Sequence, residues 1–391
     1  MTEFFNAGMT QQEFLDQYWQ KKPLVIRQAF PDFQSVISPN ELAGLAVESR
    51  IESRLVIEKG EAGSWQLIDG PFSDKDFSAL PKSHWTLLVQ DIDKHVPETK
   101  GILEPFSFIP NWRFDDLMIS FAPKHGSVGP HTDGYDVFLL QGMGTRKWQV
   151  TAGPLHEPTL LENIDIQVLA DFEPSQEWLL EPGDILYLPP YYGHHGVAID
   201  DCMTFSIGFR APSQAETLDA VINDLVEHSM AKRHYHDSDL QAAAHGHEIS
   251  LEAVLRLKEL LHEAIEEAEP LLLATFGKLV TETKPSLVSL AEEVYADKPS
   301  VKMLIEQFES GYALFRNPYL RFAWEYHEEC GTIYMGGESY PLTGCQKKNI
   351  IILAEQAVIT STHWQLLSND IQVANLLCSL VEEGGFYWIE A

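Results

Sequence analysis

Two stretches of this chain hold residues whose types and spacing suit metal chemistry. His131-Thr132-Asp133 sets an imidazole and a carboxylate two positions apart, on one face of an extended segment. So short a triplet arises by chance, and its surroundings must carry the argument. Gly183-Asp184-Ile185-Leu186-Tyr187-Leu188-Pro189-Pro190-Tyr191-Tyr192-Gly193-His194 supplies them: a turn, an apolar strand, a proline stop, then histidine. Read as one β-hairpin element, it delivers His194 to the mouth of a barrel, 63 positions after His131 (194 − 131). Two imidazoles and one carboxylate form the facial triad expected for non-haem iron(II), with open positions for a co-substrate and dioxygen. A closed structural zinc site would demand four protein ligands. His195 is the rival of His194. Neighbours on a strand point to opposite faces, so only one ligates, and the spacing from Pro189 favours His194.

Such a centre needs a cation for the far carboxylate of a 2-oxoglutarate co-substrate. Arg146 and Lys147 follow the His-x-Asp strand, and alternation lets only one face inward. The planar, permanently charged fork of arginine suits a carboxylate better, which favours Arg146. A solvent-facing pair at a hairpin is the plain alternative. Met118, Phe138, Trp148 and Tyr187 lie on flanking strands, where they would keep a pocket dry or simply pack a core. A second histidine-rich stretch, with His234, His236, His245 and His247, has no carboxylate set on a rigid element and reads as surface histidines.

The elements that position these residues form three regions. Near the N-terminus, Thr10-Gln11-Gln12-Glu13 and Ser38-Pro39-Asn40-Glu41 are capping boxes that open helices, with Pro23-Leu24-Val25-Ile26 a short buried strand between them. From about 85 to 210 the pattern is strand-rich, with candidate strands at 86–90, 117–122, 137–141, 147–151, 178–180, 184–188 and 203–209. Gly142-Met143-Gly144-Thr145 reads as a hairpin connection. Many short strands of this kind suggest a sandwich or barrel. Helical periodicity takes over after 210: Leu218, Val221, Ile222, Leu225 and Val226 share one face, as do Val254, Leu257, Leu261 and Ile265. The polar stretch 231–248 between them is a loop, and the helical block runs to about 310. Helix-like segments at 350–358 and 371–382 then alternate with short strands.

Bulk properties narrow the function. With 58 acidic and 27 basic residues the net charge is −31, which repels phosphate backbones and attracts cationic proteins. No apolar run approaches the roughly 20 residues of a membrane span. The first ten residues show no secretory pattern, and four scattered cysteines suggest no disulfide framework. A cytoplasmic protein is expected.

Taken together the residues resemble the JmjC branch of the cupin-type 2-oxoglutarate oxygenases. Within it they resemble the bacterial ribosomal oxygenases that hydroxylate an arginine of ribosomal protein uL16. The likeness rests on Phe14-Leu15-Asp16-Gln17-Tyr18-Trp19-Gln20-Lys21-Lys22-Pro23, Asp115-Asp116-Leu117-Met118-Ile119-Ser120, Gly129-Pro130-His131-Thr132-Asp133-Gly134-Tyr135-Asp136-Val137-Phe138, the 183–194 segment and Ser206-Ile207-Gly208-Phe209-Arg210-Ala211-Pro212. It implies an α+β fold: a double-stranded β-helix (jelly-roll, cupin/JmjC) core over 1–212, a helical dimerisation region over 213–310, and a winged-helix-like domain over 311–391. It also implies Fe(II) at His131, Asp133 and His194, and 2-oxoglutarate held by Arg146, fifteen positions after the first ligand (146 − 131). Ser120 and Ser206 match positions lining the co-substrate pocket. The implied partners are uL16 as substrate and a second copy in a homodimer. The last region carries four basic residues against nine acidic ones, net −5, so it reads as a protein-contact module and not a nucleic-acid reader. Against the older two-motif cupin pattern, Asp133 replaces a histidine and Tyr191 replaces the usual glycine. Two rival functions stand beside this one: a JmjC-type lysine demethylase, and a non-catalytic cupin-like binding protein.

Overall fold

The computed structural model describes residues 4–58, 65–228, 230–242, 245–294 and 299–390. Residues 1–3 of the stretch read for a secretory signal, 243–244 of the polar loop and 295–298 of the helical block lie outside them. The chain divides into two compact units, Met1–Ala211 and Pro212–Ala391.

The first unit contains β1 (Leu24–Ile26), β2 (Ser53–Glu58), β3 (Trp65–Asp69), β4 (Trp85–Val89), β5 (Phe114–Ala122), β6 (Asp136–Met143), β7 (Arg146–Pro154), β8 (Gln176–Leu180), β9 (Ile185–Leu188), β10 (Tyr192–Ala198) and β11 (Cys202–Phe209). Eight strands form a large sheet in the order β1-β9-β6-β11-β5-β4-β2-β3, and three form a small one in the order β10-β7-β8. Every residue of β11 is buried, and all but the last of β6. Both faces of these strands are covered, and the polar Asp136, Gln141, Thr204 and Ser206 among their apolar residues are buried with them. One face packs into a core with the N-terminal helices, where Phe14, Phe138, Tyr187, Phe205 and Phe209 meet. The other contributes Val137, Leu139, Leu186 and Leu188 to a cluster with Trp148 and Val150 of the small sheet.

Both capping boxes form as the sequence indicates. Thr10 and Glu13 cap Gln11–Gln17 reciprocally, and Ser38 and Glu41 do the same for Pro39–Leu45. The 23–26 strand is β1, which adds to the sheet beside β9. There the buried Asp184 carboxylate accepts from Arg27 Nη1 at 2.6 Å and from the Gln28 amide at 2.9 Å.

Two expectations about connections are corrected. Residues 142–145 do not close a hairpin, because β6 has both edges filled by β9 and β11. The chain therefore crosses to the small sheet, where β7 pairs with β8 and β10. Likewise the 183–194 segment is not one hairpin: β9 is flanked by β1 and β6, and β10 joins the other sheet. β2, β3 and β10 were not anticipated.

The second unit opens with helices Gln214–Glu227, Leu251–Ala268 and Leu272–Thr281. Val221 and Leu225 are buried, whereas Leu218, Ile222, Val226, Val254, Leu257, Leu261 and Ile265 are exposed. Helical periodicity identified these faces, but the described residues of one chain do not cover them. Helix Val301–Glu309 leads into β12 (Tyr312–Arg316), β13 (Phe322–His327), β14 (Cys330–Met335), β15 (Glu338–Thr343), β16 (Val358–Ile359) and β17 (Phe386–Glu390). They make two three-stranded sheets, β16-β12-β17 and β13-β14-β15, around helices Lys347–Glu355, Ser361–Leu367 and Ile371–Glu382. Leu353, Leu367, Leu377 and Phe386 lie at the centre of that core.

Candidate metal centre

His131 and His194 face each other across an isolated antiparallel bridge. The His131 amide donates to the His194 carbonyl at 3.0 Å and the His194 amide to the His131 carbonyl at 2.9 Å, so a ladder rung fixes the two Cα atoms. Their ring centroids are 4.2 Å apart. In each imidazole, Nδ1 lies 3.0 Å from a backbone carbonyl, that of Gly129 for His131 and of Tyr192 for His194. A carbonyl oxygen can only accept, so Nδ1 carries a proton and Nε2 is the nitrogen left to face a metal. That is the arrangement a metal ligand needs, held by the kind of outer hydrogen bond that orients such ligands.

Asp133 completes the group. Its Oδ2 lies 3.5 Å from His194 Nε2 and 4.0 Å from His131 Nε2. One ligand atom from each of the three falls within 4.8 Å of the others, close enough to share a single ion. His194 is deepest, and burial together with neighbouring His131 pushes its pKa down to about 4, so the imidazole is neutral at physiological pH. His195 pairs with Gln149 and turns its ring toward Phe172, 5.9 Å away, and stays outside the group. Of the histidine-rich stretch, His234, His236, His245 and His247 are exposed and join no metal-binding group among the described residues. The second such group, Asp224, Glu227 and His228, already spends its Asp224 carboxylate on Lys278 and Thr275.

Alternation on β7 turns Arg146, Trp148 and Val150 toward the large sheet and leaves Lys147 outside, 3.6 Å from Glu177. Arg146 is 3% exposed. Its Nη1 donates to Thr204 Oγ1 at 3.0 Å and, more weakly, to Ser120 Oγ at 3.4 Å. Thr204 Oγ1 passes the chain on to Gln141 Oε1 at 3.2 Å. Ser120, Thr204 and Gln141 occupy one row of paired residues across β5, β11 and β6. Ser206 lies two residues along that face, in the row of Met118 and Leu139.

No carboxylate among the described residues pairs with Arg146, its Nε has no acceptor, and burial lowers its pKa. A buried, uncompensated guanidinium is costly unless an anion joins it. Trp148 lies between the two ends, its ring 5.3 Å from the Arg146 guanidinium and 5.9 Å from the His194 ring. Its Nε1 is also buried without an acceptor. Gly196 makes room for both: a Cβ there would stand 2.7 Å from the Trp148 ring and 3.0 Å from Arg146 Nε.

Sequence reasoning missed Thr204 and Gln141. Thr204 was within reach, because it shares the inward face of β11 with Ser206. Phe138 and Tyr187, grouped with Trp148 as possible pocket walls, sit on the opposite face of the large sheet, in the core with Phe14 and Trp19.

Known proteins resemble this chain. A model of the JmjC domain matches residues 101–217. The ribosomal protein uL16 3-hydroxylase of Escherichia coli K12 is 38% identical over 275 residues, covering 70% of this chain and 72% of the relative. The chain belongs to the JmjC-domain ribosomal oxygenases. A probable ribosomal oxygenase of Haemophilus influenzae is 34% identical over 311 residues, 76% of this chain and 75% of its own. The crystal structure of E. coli YcfD is similar to this ribosomal oxygenase with a TM-score of 0.80 at 31% identity, covering 98% of this chain and 99% of that one. Another structure of the E. coli ribosomal oxygenase YcfD, in complex with cobalt and 2-oxoglutarate, has a TM-score of 0.77 at 30% identity over the same shares. The α+β fold, sheet-rich core first, and the 2-oxoglutarate- and metal-dependent oxygenase class follow from this membership.

Proposed function

We propose that this chain is an Fe(II)- and 2-oxoglutarate-dependent hydroxylase acting on an arginine side chain of ribosomal protein uL16. The observation that carries the reading is a pair: three convergent ligand atoms, and across Trp148 a buried guanidinium lacking a counter-charge among the described residues. His131 Nε2, His194 Nε2 and Asp133 Oδ2 would hold the iron. Two imidazoles and one carboxylate fit a divalent ion and leave coordination positions open. Arg146 would take the far carboxylate of the co-substrate, with Ser120 and Thr204 orienting its fork and Ser206 lining the same face. When bound, iron with 2-oxoglutarate and dioxygen supplies the oxidising power for an unactivated C–H bond. The protein excludes water with Leu139, Leu186 and Leu188 and fixes the direction of approach.

The relative named for uL16 hydroxylation supports the substrate, and the −31 charge favours a basic partner. The exposed apolar faces of Gln214–Glu227 and Leu251–Ala268 fit a homodimer within a dimerisation region at 213–310, with 311–391 a winged-helix-like module. No helix among the described residues is long and apolar enough to cross a membrane, and a ribosomal substrate sets the reaction in the cytoplasm. Incubation of uL16 with the protein, Fe(II), 2-oxoglutarate and oxygen should give a peptide about 16 daltons heavier at arginine, with succinate in step. Loss of a methyl group would indicate demethylation instead. Absence of 2-oxoglutarate consumption would leave a binding protein.

A further inference from the structure

Tyr191 is the strained point of the backbone beside the metal centre. Its φ of +67° lies in the left-handed region, which glycine enters freely and a bulky aromatic residue only at a cost. Among the described residues, Phe5 is the other phenylalanine or tyrosine with a positive φ. Phe5 is compensated by packing, its ring 4.9 Å from Phe4 and 5.2 Å from Phe106 in the core. Tyr191 is packed far less, for it is 41% exposed.

The surroundings hold Tyr191 in place. Its amide donates to the Asp133 carbonyl at 2.7 Å, and its carbonyl accepts from the Leu155 amide at 2.7 Å. The ring lies 5.0 Å from that of His156 and 4.0 Å from where a Cβ on Gly134 would stand. A partly exposed phenol face thereby lies against Gly134, next in the chain to Asp133, and the Asp133 and His131 side chains are themselves partly exposed while that of His194 is not. Tyr135, next along the chain and equally exposed, has Asp133, Asp116 and Asp115 around its hydroxyl. An exposed tyrosine ring held beside Asp133-Gly134 suits a planar cation better than an anionic group.

We propose that Tyr191 is a specificity-determining residue, whose ring is the surface on which the guanidinium of the arginine entering the site stacks. This rests on the reading of the protein as an arginine hydroxylase. Backbone strain that persists where glycine would relieve it is then explained by what the ring recognises.

The test measures binding of a uL16 peptide carrying the reacting arginine, and of the same peptide with citrulline there. Both are titrated into wild type, Tyr191→Phe and Tyr191→Gly, alongside thermal melting and 2-oxoglutarate affinity. Tyr191→Gly should bind the arginine peptide about ten-fold more weakly, and Tyr191→Phe within about two-fold of wild type. The citrulline peptide should bind weakly to all three. The glycine variant should melt no lower than wild type, since it relieves strain, and keep its 2-oxoglutarate affinity. An arginine affinity unchanged in Tyr191→Gly, or equal losses for both peptides, overturns the stacking role alone. Failure of wild type to bind the uL16 peptide sinks the substrate reading, and the stacking proposal with it.

Discussion

The two ends of the site meet water differently. At the metal end His131 and Asp133 have side chains 24% and 21% exposed, and only His194 is sealed, at 3%. An ion arriving from solvent meets two shallow ligands first and the deep one last. At the other end Arg146 is enclosed, with hydroxyl partners and no carboxylate among the described residues. The most buried ligand at the metal end, His194, is neutral and needs no counter-charge. The cation end differs, because a buried charge without a counter-ion is unfavourable until an anion arrives. One end is preformed for a ligand; the other needs one.

Predictions follow from the size of that contrast. The largest effect is at the metal end: Asp133→Ala should weaken Co(II) binding by more than about 100-fold by calorimetry and abolish succinate production. Retention of both would remove Asp133 from the centre.

Neutrality of the His194 imidazole has its own signature. The pKa of His194 falls from the ordinary 6.5 to about 4 in the folded chain, so the unfolded chain takes up the proton first as pH drops. The contribution is therefore present above pH 6.5 and is lost progressively between 6.5 and 4, up to roughly 3 kcal/mol. Urea unfolding of metal-free protein should show that decline, and His194→Asn should flatten it. An unchanged slope would mean that other groups set the pH dependence.

At the cation end, Arg146→Met should raise the 2-oxoglutarate requirement by about 100-fold. The melting temperature without co-substrate should not fall, because the variant removes an unpaired buried charge. Lys147→Ala should change neither. A lysine effect as large as the arginine effect would erase the distinction between the inward and outward side chains. The smallest change is Thr204→Val, expected to weaken 2-oxoglutarate binding about five-fold by freeing one guanidinium contact.

Much of this site was legible in the sequence, and for identifiable reasons. His131 and Asp133 stand two apart on an extended segment, and His194 follows a turn, strand and stop; local periodicity brings those three into view. Alternation reduced Arg146 and Lys147 to one inward choice. What alternation cannot supply is the identity of the facing strand. The Thr204–Gln141 support for Arg146 comes from the large sheet, across a space that only the crossing connections create. The same crossings misled the hairpin readings, since Gly144-Thr145 looks the same whether it returns to its own sheet or leaves it. Phe138 and Tyr187 were misplaced because β6 and β9 are buried on both faces, and apolar residues alone do not say which face is which. In the second unit, periodicity found the apolar helix faces but not what covers them.

Anomalous scattering from a crystal soaked in Mn(II) tests the central claim most directly. The account predicts one strong peak per chain within bonding distance, roughly 2 Å, of His131 Nε2, His194 Nε2 and Asp133 Oδ2 together. A strongest peak at Asp224, Glu227 and His228, or at the histidines of the polar loop, would contradict it.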